Sequence, residues 1–466
     1  MTPPPTGGSA ADRYCAIAVS PNTPRAAARG RFWRRGAASL GRTLERMQGA
    51  GWAFADQCVV SAANFITVYL FARHLGATEF GVFMLAHAGL LLLTSVQNAL
   101  LIQPHNVLAA GLPTPEYRRF TGALVLAQAI ACLAICVALG VAGLLVARHS
   151  PAAGRIVVVL AVAAMPWLAQ EFVRRVLYTR GETRAAAIND LVSYGLQLAG
   201  AAAVVFLLAD RASPEAALAV LGGSSLIAVL LGVWQLRDHV RWERGDTGPL
   251  TRAWRETWRF GKWLTAQNAL VWIGLEGGTW IVGLLLGAAQ VGVLRAATHL
   301  VNVMNPLCQA TYSYLPSRAS LAYRTGGAAG LARFLRRTQW LLLAAILPFV
   351  VTLVGFPTWV LEIAYGGRYD GAQMPLLLAL AALAQCVMFM KFPYDLGVLA
   401  FRQTRSLFFV YLLPVAVLFS VGIGLIVFLG VVGVPLSILV SNVALLIATR
   451  IAYLRHLKRR EAGAAD

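Results

Sequence analysis

Five residues in the second half of the sequence recur at helical spacing within an apolar stretch. They are separated by steps of 4, 3, 4 and 3 positions, so an α-helix would place all five on one face: Arg295, His299, Asn302, Pro306 and Gln309. An arginine that faces lipid near the middle of a membrane span costs at least ~2.5 kcal/mol. We therefore expect this face to line a polar cavity, and the alternative is a hydrogen-bonded seam between helices.

Glu276 and His299 flank a predicted tight turn at Gly287, Glu276 eleven residues before it and His299 eleven residues after Ala288. At 1.5 Å per residue, both would lie roughly 16 Å from the outer helix ends on adjacent antiparallel helices. A Glu and a His in contact at low dielectric are suited to exchanging a proton. The pattern predicts an ion-coupling pair, and a static ion pair that fixes helix packing is the alternative.

The first half of the chain carries a weaker version of this pattern. His87 and Asn64 stand at about the same distance from the turn after the first apolar stretch, and Asn98 continues the polar face of His87. Asp56 lies two turns before Asn64 and is a further candidate for ion coupling. Arg73, at the outer end of the first stretch, either reaches the membrane interface or meets an anionic ligand.

The sequence predicts neither a metal site nor a cofactor. Cys132 and Cys136 share a helix face, but small residues on a packed span explain them better than a metal site does. The largest inner loop lacks a phosphate-cradling glycine loop of the GxxxxGK[ST] kind, so ATP hydrolysis is not indicated.

Composition identifies the elements that must position these residues as membrane helices. Hydrophobic residues make up 58% of the 466 and charged residues 13%, against about 25% charged in a typical soluble protein. A helix needs about 20 apolar residues to cross the bilayer. Apolar runs and their Gly, Pro and charged boundaries predict twelve spans, at about 50–72, 80–102, 119–147, 156–177, 186–208, 215–236, 260–286, 290–316, 338–361, 372–394, 406–430 and 432–454.

The basic residues indicate how these spans are oriented. With a cytoplasmic N-terminus, 34 of the 40 Lys and Arg residues fall on the cytoplasmic side and five on the outer side. The net charge of +20 is therefore explained by topology and contact with anionic membrane lipid, and we expect no nucleic-acid partner. Both termini are predicted to be cytoplasmic.

The two halves of the sequence resemble each other. On an offset of 211 positions, LGATEFGV from Leu75 matches LGAAQVGV from Leu286, and on an offset of 221, GETR ending at Arg184 resembles RQTR ending at Arg405. Six spans separate the copies, so both have the same orientation, as in parallel repeats about an axis normal to the membrane. This predicts an all-α polytopic membrane protein with twelve transmembrane helices in two parallel-repeat six-helix lobes.

This organisation predicts the domain boundaries and favours a carrier. We expect a disordered cytoplasmic tail at 1–45, an N-terminal lobe at 46–237, a cytoplasmic linker at 238–259, a C-terminal lobe at 260–455 and a second tail at 456–466. Every predicted outer loop has about ten residues or fewer. Such loops leave no room for a catalytic domain outside the membrane, which argues against an enzyme. Two six-helix lobes with a site between them are typical of transporters that rock to expose the site to one side at a time.

Three segments carry a resemblance to a known family: VYLFARHLGATEFGVFMLAHAGLLLLTSVQNALLIQP, EFVRRVLYTRGETRAAAINDLVSYGLQ and LGAAQVGVLRAATHLVNVMNPLCQATYSYLP. Over residues 45 to 455, the chain resembles the polysaccharide flippase (polysaccharide transporter) family of the multidrug/oligosaccharidyl-lipid/polysaccharide exporter superfamily. The resemblance implies a bacterial inner-membrane protein, not an enzyme, that moves polyprenyl-diphosphate-linked oligosaccharide units to the outer leaflet. It also implies polysaccharide polymerase and export machinery as partners.

A flippase of this kind needs cations for the diphosphate and amides or hydroxyls for the sugars. The residues named above become candidates for these roles: Arg295, His299, Asn302, Gln309, His87, Asn98, Asn64 and Arg73 for the cavity, and Glu276, His299 and Asp56 for ion coupling. A drug/cation antiporter of the same superfamily is one alternative. A membrane-embedded polysaccharide-assembly enzyme or a non-transporting scaffold is another.

Overall fold

A computed structural model describes residues 56–109, 112–238, 240, 248–367, 369, 371–401 and 409–462. In these ranges the regular structure is helical throughout. The helices are α1 (56–74), α2 (Ala77–Leu108), α3 (Thr114–Ala147), α4 (Pro151–Thr179), α5 (Thr183–Leu207), α6 (Pro214–Leu236), α7 (Gly248–Leu285), α8 (Ala288–Val301), α9 (Asn305–Gly355), α10 (Pro357–Tyr365), α11 (Met374–Ala400), α12 (Leu413–Val417 continued to Ile423–Leu429) and α13 (Gly433–Ala462).

Nine helical stretches in the described part of the chain are long and apolar enough to cross a membrane. One of them, Leu413–Lys458, holds two spans, because Gly430 at φ 62° separates α12 from α13. Helix α1 and the combination of α8 with the first part of α9 complete the set. The predicted fold class is confirmed: the chain is an all-α polytopic membrane protein with twelve transmembrane helices in two lobes.

Serine and proline start two helices in the same way, at turns that the charge pattern assigns to the outer side. Ser150 accepts a hydrogen bond from the backbone N–H of Ala153 at 3.3 Å and begins α4, and Ser213 caps α6 through the N–H of Ala216 at 3.2 Å. A proline follows each serine at the first helical position, where its missing N–H has no partner to lose. These caps allow the short outer turns that the sequence predicts.

The structure departs from the predicted spans at the inner ends of α7 and α9. The predicted linker 238–259 overlaps α7, which already begins at Gly248. The predicted loop between spans eight and nine is helical within α9 and is interrupted at Gly327, whose φ of 58° ends one helical segment and starts the next. Loop predictions there relied on Arg and Gly content, but Arg and Ala are good helix formers.

At the chain ends, α13 continues to Ala462, so the predicted tail at 456–466 is helical over most of its length. The predicted N-terminal tail at 1–45 lies outside the described residues.

Candidate functional site

The repeated motif brings the two lobes together at the helix ends that the charge pattern assigns to the outer side. Helices α2 and α8 pack against each other here, and their glycines allow it. A Cβ at Gly81 would lie 1.7 Å from the carbonyl oxygen of Ala288, and a Cβ at Gly292 would lie 1.9 Å from that of Ala77. These four residues are related by the offset of 211, so the contact is nearly two-fold symmetric.

Tyrosines extend this contact between the lobes. The hydroxyl of Tyr69 in α1 donates to the carbonyl of Ala364 at 2.9 Å, and that of Tyr369 donates to the carbonyl of Ala72 at 2.8 Å. The lobes are thus joined at the helix ends that the charge pattern assigns to the outer side. Arg73 is exposed and donates a hydrogen bond to the Tyr69 hydroxyl at 2.8 Å. It therefore contacts one of the tyrosines that join the lobes.

Arg295 and Glu276 form an ion pair between α8 and α7. Both side chains are largely buried, with 16% and 14% of their surface exposed. Glu276 does face α8, as ion coupling requires, but its partner is Arg295 and not His299. This corrects the predicted pairing: equal distances from the turn fix the depth of two residues but not the direction of their side chains.

His299 instead reaches across to the N-terminal lobe. Its Nε2 donates to the carbonyl oxygen of Phe65 in α1 at 2.9 Å, since a carbonyl only accepts. Its ring stacks on the Phe65 ring with centroids 4.5 Å apart. His299 therefore ties α8 to α1 across the interface of the lobes.

His87 approaches the same region from the N-terminal lobe. Its ring meets Trp167 edge-on at 6.3 Å, and it interacts electrostatically with both Arg295 and His299. His87 of the N-terminal lobe is therefore close enough to Arg295 and His299 of the C-terminal lobe for their charges to interact. The sequence named all three, but only the structure brings His87 to the other two.

The remainder of the predicted stripe does not continue the same helix. Helix α8 ends at Val301, and a 3-10 turn over Asn302–Met304 separates it from α9. Pro306 lacks a backbone N–H and would clash with the carbonyl of residue 302, which explains the interruption. Asn302 is exposed at this turn, and the side chain of Gln309 lies outside the described residues.

Two further predicted cavity residues lie within the N-terminal lobe. Asn64 accepts a hydrogen bond from Gln197 of α5 at 3.1 Å, so its side chain joins α1 to α5. Asn98 is half-buried and begins a π-helical turn over Asn98–Ile102 in α2.

Asp56 belongs to a buried charged cluster that sequence reasoning found only in part. Its carboxylate accepts from the Tyr178 hydroxyl and pairs with Arg174 at 3.4 Å, and Arg174 also pairs with Asp190 and Glu171. Glu171 pairs within α4 with Arg174 at 3.4 Å and with Arg175 at 2.9 Å, at spacings of three and four residues. The sequence did not predict that Asp190 and Asp56 contact Arg174. They lie on α5 and α1, and the spacing of residues along α4 carries no information about them.

The C-terminal lobe holds a related cluster at the offset of 221. In the N-terminal lobe, Gln170 donates to Asp190 at 2.9 Å, and Asp190 pairs with Arg174. The positions 221 residues later are Lys391, Tyr411 and Asp395. Lys391 donates to the Tyr411 hydroxyl at 3.0 Å, that hydroxyl donates to Asp395 at 3.1 Å, and Lys391 and Asp395 form a buried ion pair.

Solved structures similar to this chain include transporters. The chain is similar to an inward-facing multidrug-resistance MATE transporter of the MOP superfamily, with a TM-score of 0.65 at 13% identity over 88% of this chain and 98% of that one. It is also similar to the lipid II flippase MurJ in an inward closed conformation, with a TM-score of 0.63 at 12% identity over 86% and 87%. A third similar structure is a MOP superfamily transporter from Pyrococcus furiosus, with a TM-score of 0.59 at 12% identity over 88% and 94%. These likenesses define the fold.

The family is shown by the sequence itself. Residues 47–313 match the family model described as polysaccharide biosynthesis protein, and this match covers more than half of the chain. The chain belongs to that family. No protein of curated function matches it.

Proposed function

We propose that this protein is a bacterial inner-membrane flippase that carries polyprenyl-diphosphate-linked oligosaccharides outward by alternating access, for surface or exopolysaccharide synthesis. The observation that carries the proposal is the placement of Arg295 and His299 on α8 at the contact between the lobes: Arg295 is largely buried against Glu276, and His299 donates across the interface to the Phe65 carbonyl at 2.9 Å. Membership of a polysaccharide biosynthesis family supports a saccharide substrate, and the lipid II flippase shows that the fold can serve one. A diphosphate needs donors in this place because hydrocarbon provides none.

Arg295 is the group that would bind the diphosphate. A guanidinium carries five N–H donors, and Glu276 can occupy only one edge of it. The remaining donors suit phosphate oxygens in planar, charge-assisted hydrogen bonds. His87 would add a donor beside it, whereas the Nε2–H of His299 is already donated to Phe65, and the exposed amide of Asn302 would contact the saccharide.

Glu276 would couple this binding to protons. While Glu276 is ionised, it competes with a diphosphate for Arg295; when it takes up a proton, the ion pair is lost and the guanidinium becomes available to the substrate. Asp56 would serve the same purpose in the N-terminal lobe. There, three carboxylates (Asp56, Asp190 and Glu171) surround Arg174, with Arg175 as the second cation, so the cluster is short of positive charge and suited to holding a proton.

A drug/cation antiporter is the competing function within this fold. Arg295 disfavours an organic cation, because its guanidinium, once released from Glu276, would repel the cation in a region of low dielectric. An enzyme or scaffold would not need the lobes to meet through a symmetric glycine contact.

The test is transport by purified protein in liposomes. A fluorescent polyprenyl-diphosphate oligosaccharide is placed in the inner leaflet, and its arrival outside is followed with an impermeant quencher. We expect flipping by the wild type, a loss of at least tenfold for Arg295→Ala and partial activity for Arg295→Lys, with exposed Arg333→Gln as the matched control. Export of an organic cation without flipping, or full activity of Arg295→Ala, would contradict the proposal.

A further inference from the structure

A cleft lies between the first turns of α7 and the middle of α3, away from the site described above. It has a volume of about 590 Å³ and is lined by Ala127, Ile130 and Ala131 of α3 and by Thr251, Trp254, Arg255 and Trp258 of α7. Apart from Thr251 and Arg255, this lining is apolar. We infer that this cleft binds one anionic phospholipid of the cytoplasmic leaflet, with an acyl chain between the helices and the phosphate on Arg255.

The depth of the cleft fits the inner boundary of the bilayer. Ile130 lies 17 residues before Ala147 at the outer end of α3, which at 1.5 Å per residue is about 25 Å of helix. The hydrocarbon core is about 30 Å thick. A chain that enters the cleft from the membrane would therefore place its headgroup near Arg255, at the interface.

The aromatic side chains form one wall for such a chain. Trp254 and Trp258 stack on each other with centroids 6.2 Å apart, yet 46% and 48% of their surfaces remain exposed. On the opposite wall, Ile130 is 53% exposed. Tryptophan is enriched at the level of lipid headgroups, where one end of the ring is apolar and the other contacts water.

Charge selects the kind of lipid. Arg255 is exposed and forms no ion pair with any described residue, and the exposed side chain of Arg259 lies one turn further along α7. An arginine at the cytoplasmic interface attracts anionic headgroups and binds phosphate in charge-assisted hydrogen bonds. A zwitterionic lipid would fill the cleft but would gain less from these cations.

The cleft lies between the two lobes, so a lipid bound in it would contact both of them. Helix α3 belongs to the N-terminal lobe and α7 to the C-terminal lobe. Next to the cleft, Gly261 of α7 packs so closely on α2 that a Cβ would lie 2.6 Å from the carbonyl oxygen of Ala99. A lipid that contacts both walls would hold this junction of the lobes together.

The test measures lipid binding by native mass spectrometry of the full chain in detergent. Phosphatidylglycerol and phosphatidylcholine with the same acyl chains are the two probes. We expect the wild type to bind phosphatidylglycerol at least tenfold more tightly, and Arg255→Gln to lose that preference. Ile130→Trp, which fills the cleft without changing a charge, should weaken the binding of both lipids.

Matched controls separate the cleft from general attraction to the membrane surface. Arg336→Gln removes an exposed arginine of α9, and Trp340→Ala removes a tryptophan of the same helix with 68% of its surface exposed. Neither should change lipid binding, and thermal unfolding should confirm that all variants are folded. Equal binding of both lipids to the wild type, equal losses for Arg255→Gln and Arg336→Gln, or unchanged binding to Ile130→Trp would overturn the inference. Preferential retention of a polyprenyl phosphate over phosphatidylglycerol would also overturn it.

Discussion

Gly81 and Gly292 occupy equivalent positions in the two repeats, and each lies against the backbone of the other lobe. The carbonyl oxygens of Ala288 and Ala77 approach the positions of their missing Cβ atoms to 1.7 and 1.9 Å. Ordinary carbon–oxygen contacts are about 3.3 Å or longer. The repeated LGA-x-x-x-G sequence therefore marks the surface on which the lobes close, and its two copies are similar because each forms half of one contact.

The first prediction is that a methyl group at either glycine separates the outer ends of the lobes. Gly81→Ala and Gly292→Ala each require roughly 1.5 Å of displacement to restore a normal contact. Spin labels at His149 and Gln373, both exposed at outer ends, should therefore report longer distances, and flipping should fall severalfold. Gly89→Ala on the same helix is the control, since its Cβ would lie 3.7 Å from Leu160. Unchanged distances with normal flipping would show that the glycine contact does not form the closure.

The second prediction concerns the ion pair of Glu276 and Arg295. Glu276→Gln keeps the shape of the side chain but cannot titrate, and it leaves the guanidinium available at every pH. In liposomes, this variant should bind the lipid-linked saccharide at least as tightly as the wild type and lose its response to an imposed pH gradient. Glu362→Gln, at an exposed position in the same lobe, should retain that response. If Glu276→Gln is merely less stable and still follows the gradient, the pair is structural.

The third prediction concerns Arg174, which is 8% exposed and contacts three carboxylates. Arg174→Gln leaves these charges uncompensated in a buried site, at a cost of about 3–5 kcal/mol. Arg175→Gln removes a side chain that is 43% exposed and should cost less than about 1 kcal/mol. Denaturant unfolding in detergent would compare the two variants. Adding Asp190→Asn and Asp56→Asn should restore part of the stability, and no recovery would mean that packing of Arg174, not charge, dominates.

The features of the fold that depend on local sequence were predictable. Apolar runs predicted the twelve spans, and the Leu-Gly-Ala pattern predicted the turn at Gly287. The pattern does not determine the backbone conformation, because Gly287 has a φ of 87° and the equivalent Gly76 has a φ of -65°. The length of α9 could not be predicted from the sequence, since Arg-rich stretches form loops or helices according to their tertiary surroundings.

The site was predictable in its residues and not in their contacts. Arg295, His299 and His87 stood out because polar groups are costly in a membrane span. The direction of Glu276 depends on how α7 is rotated, which no periodicity of α7 alone determines. Lys391 falls inside the predicted span 372–394 and is 2% exposed, and its partner Asp395 lies one turn away within α11.

The fourth prediction concerns topology. In a background whose six cysteines are replaced by serine, Gly326→Cys lies at the break in α9 and Gly371→Cys follows α10, and a Cβ at either position meets no atom within 4 Å. An impermeant thiol reagent added to intact cells should label Gly371→Cys and leave Gly326→Cys unlabelled until the membrane is permeabilised. The reverse pattern would contradict cytoplasmic termini.

The last prediction concerns Lys391 and Asp395, the buried ion pair of the C-terminal lobe. On the offset of 221, these positions correspond to Gln170 and Arg174. Lys391 and Asp395 are each 2% exposed, so Asp395→Asn leaves a buried ammonium group without its carboxylate. We expect a loss of about 3–5 kcal/mol from that change alone, because an unpaired buried charge keeps its desolvation cost and loses its compensating interaction. Lys391→Gln combined with Asp395→Asn removes both charges and places at 391 the residue that the first lobe has at Gln170.

The double variant should therefore be more stable than Asp395→Asn alone, and denaturant unfolding in detergent would compare the two. If this ion pair only holds α11 and α12 together through Tyr411, the double variant should flip lipid-linked saccharide at a normal rate. A double variant that is stable yet inactive would instead place the charges of Lys391 and Asp395 in the transport cycle.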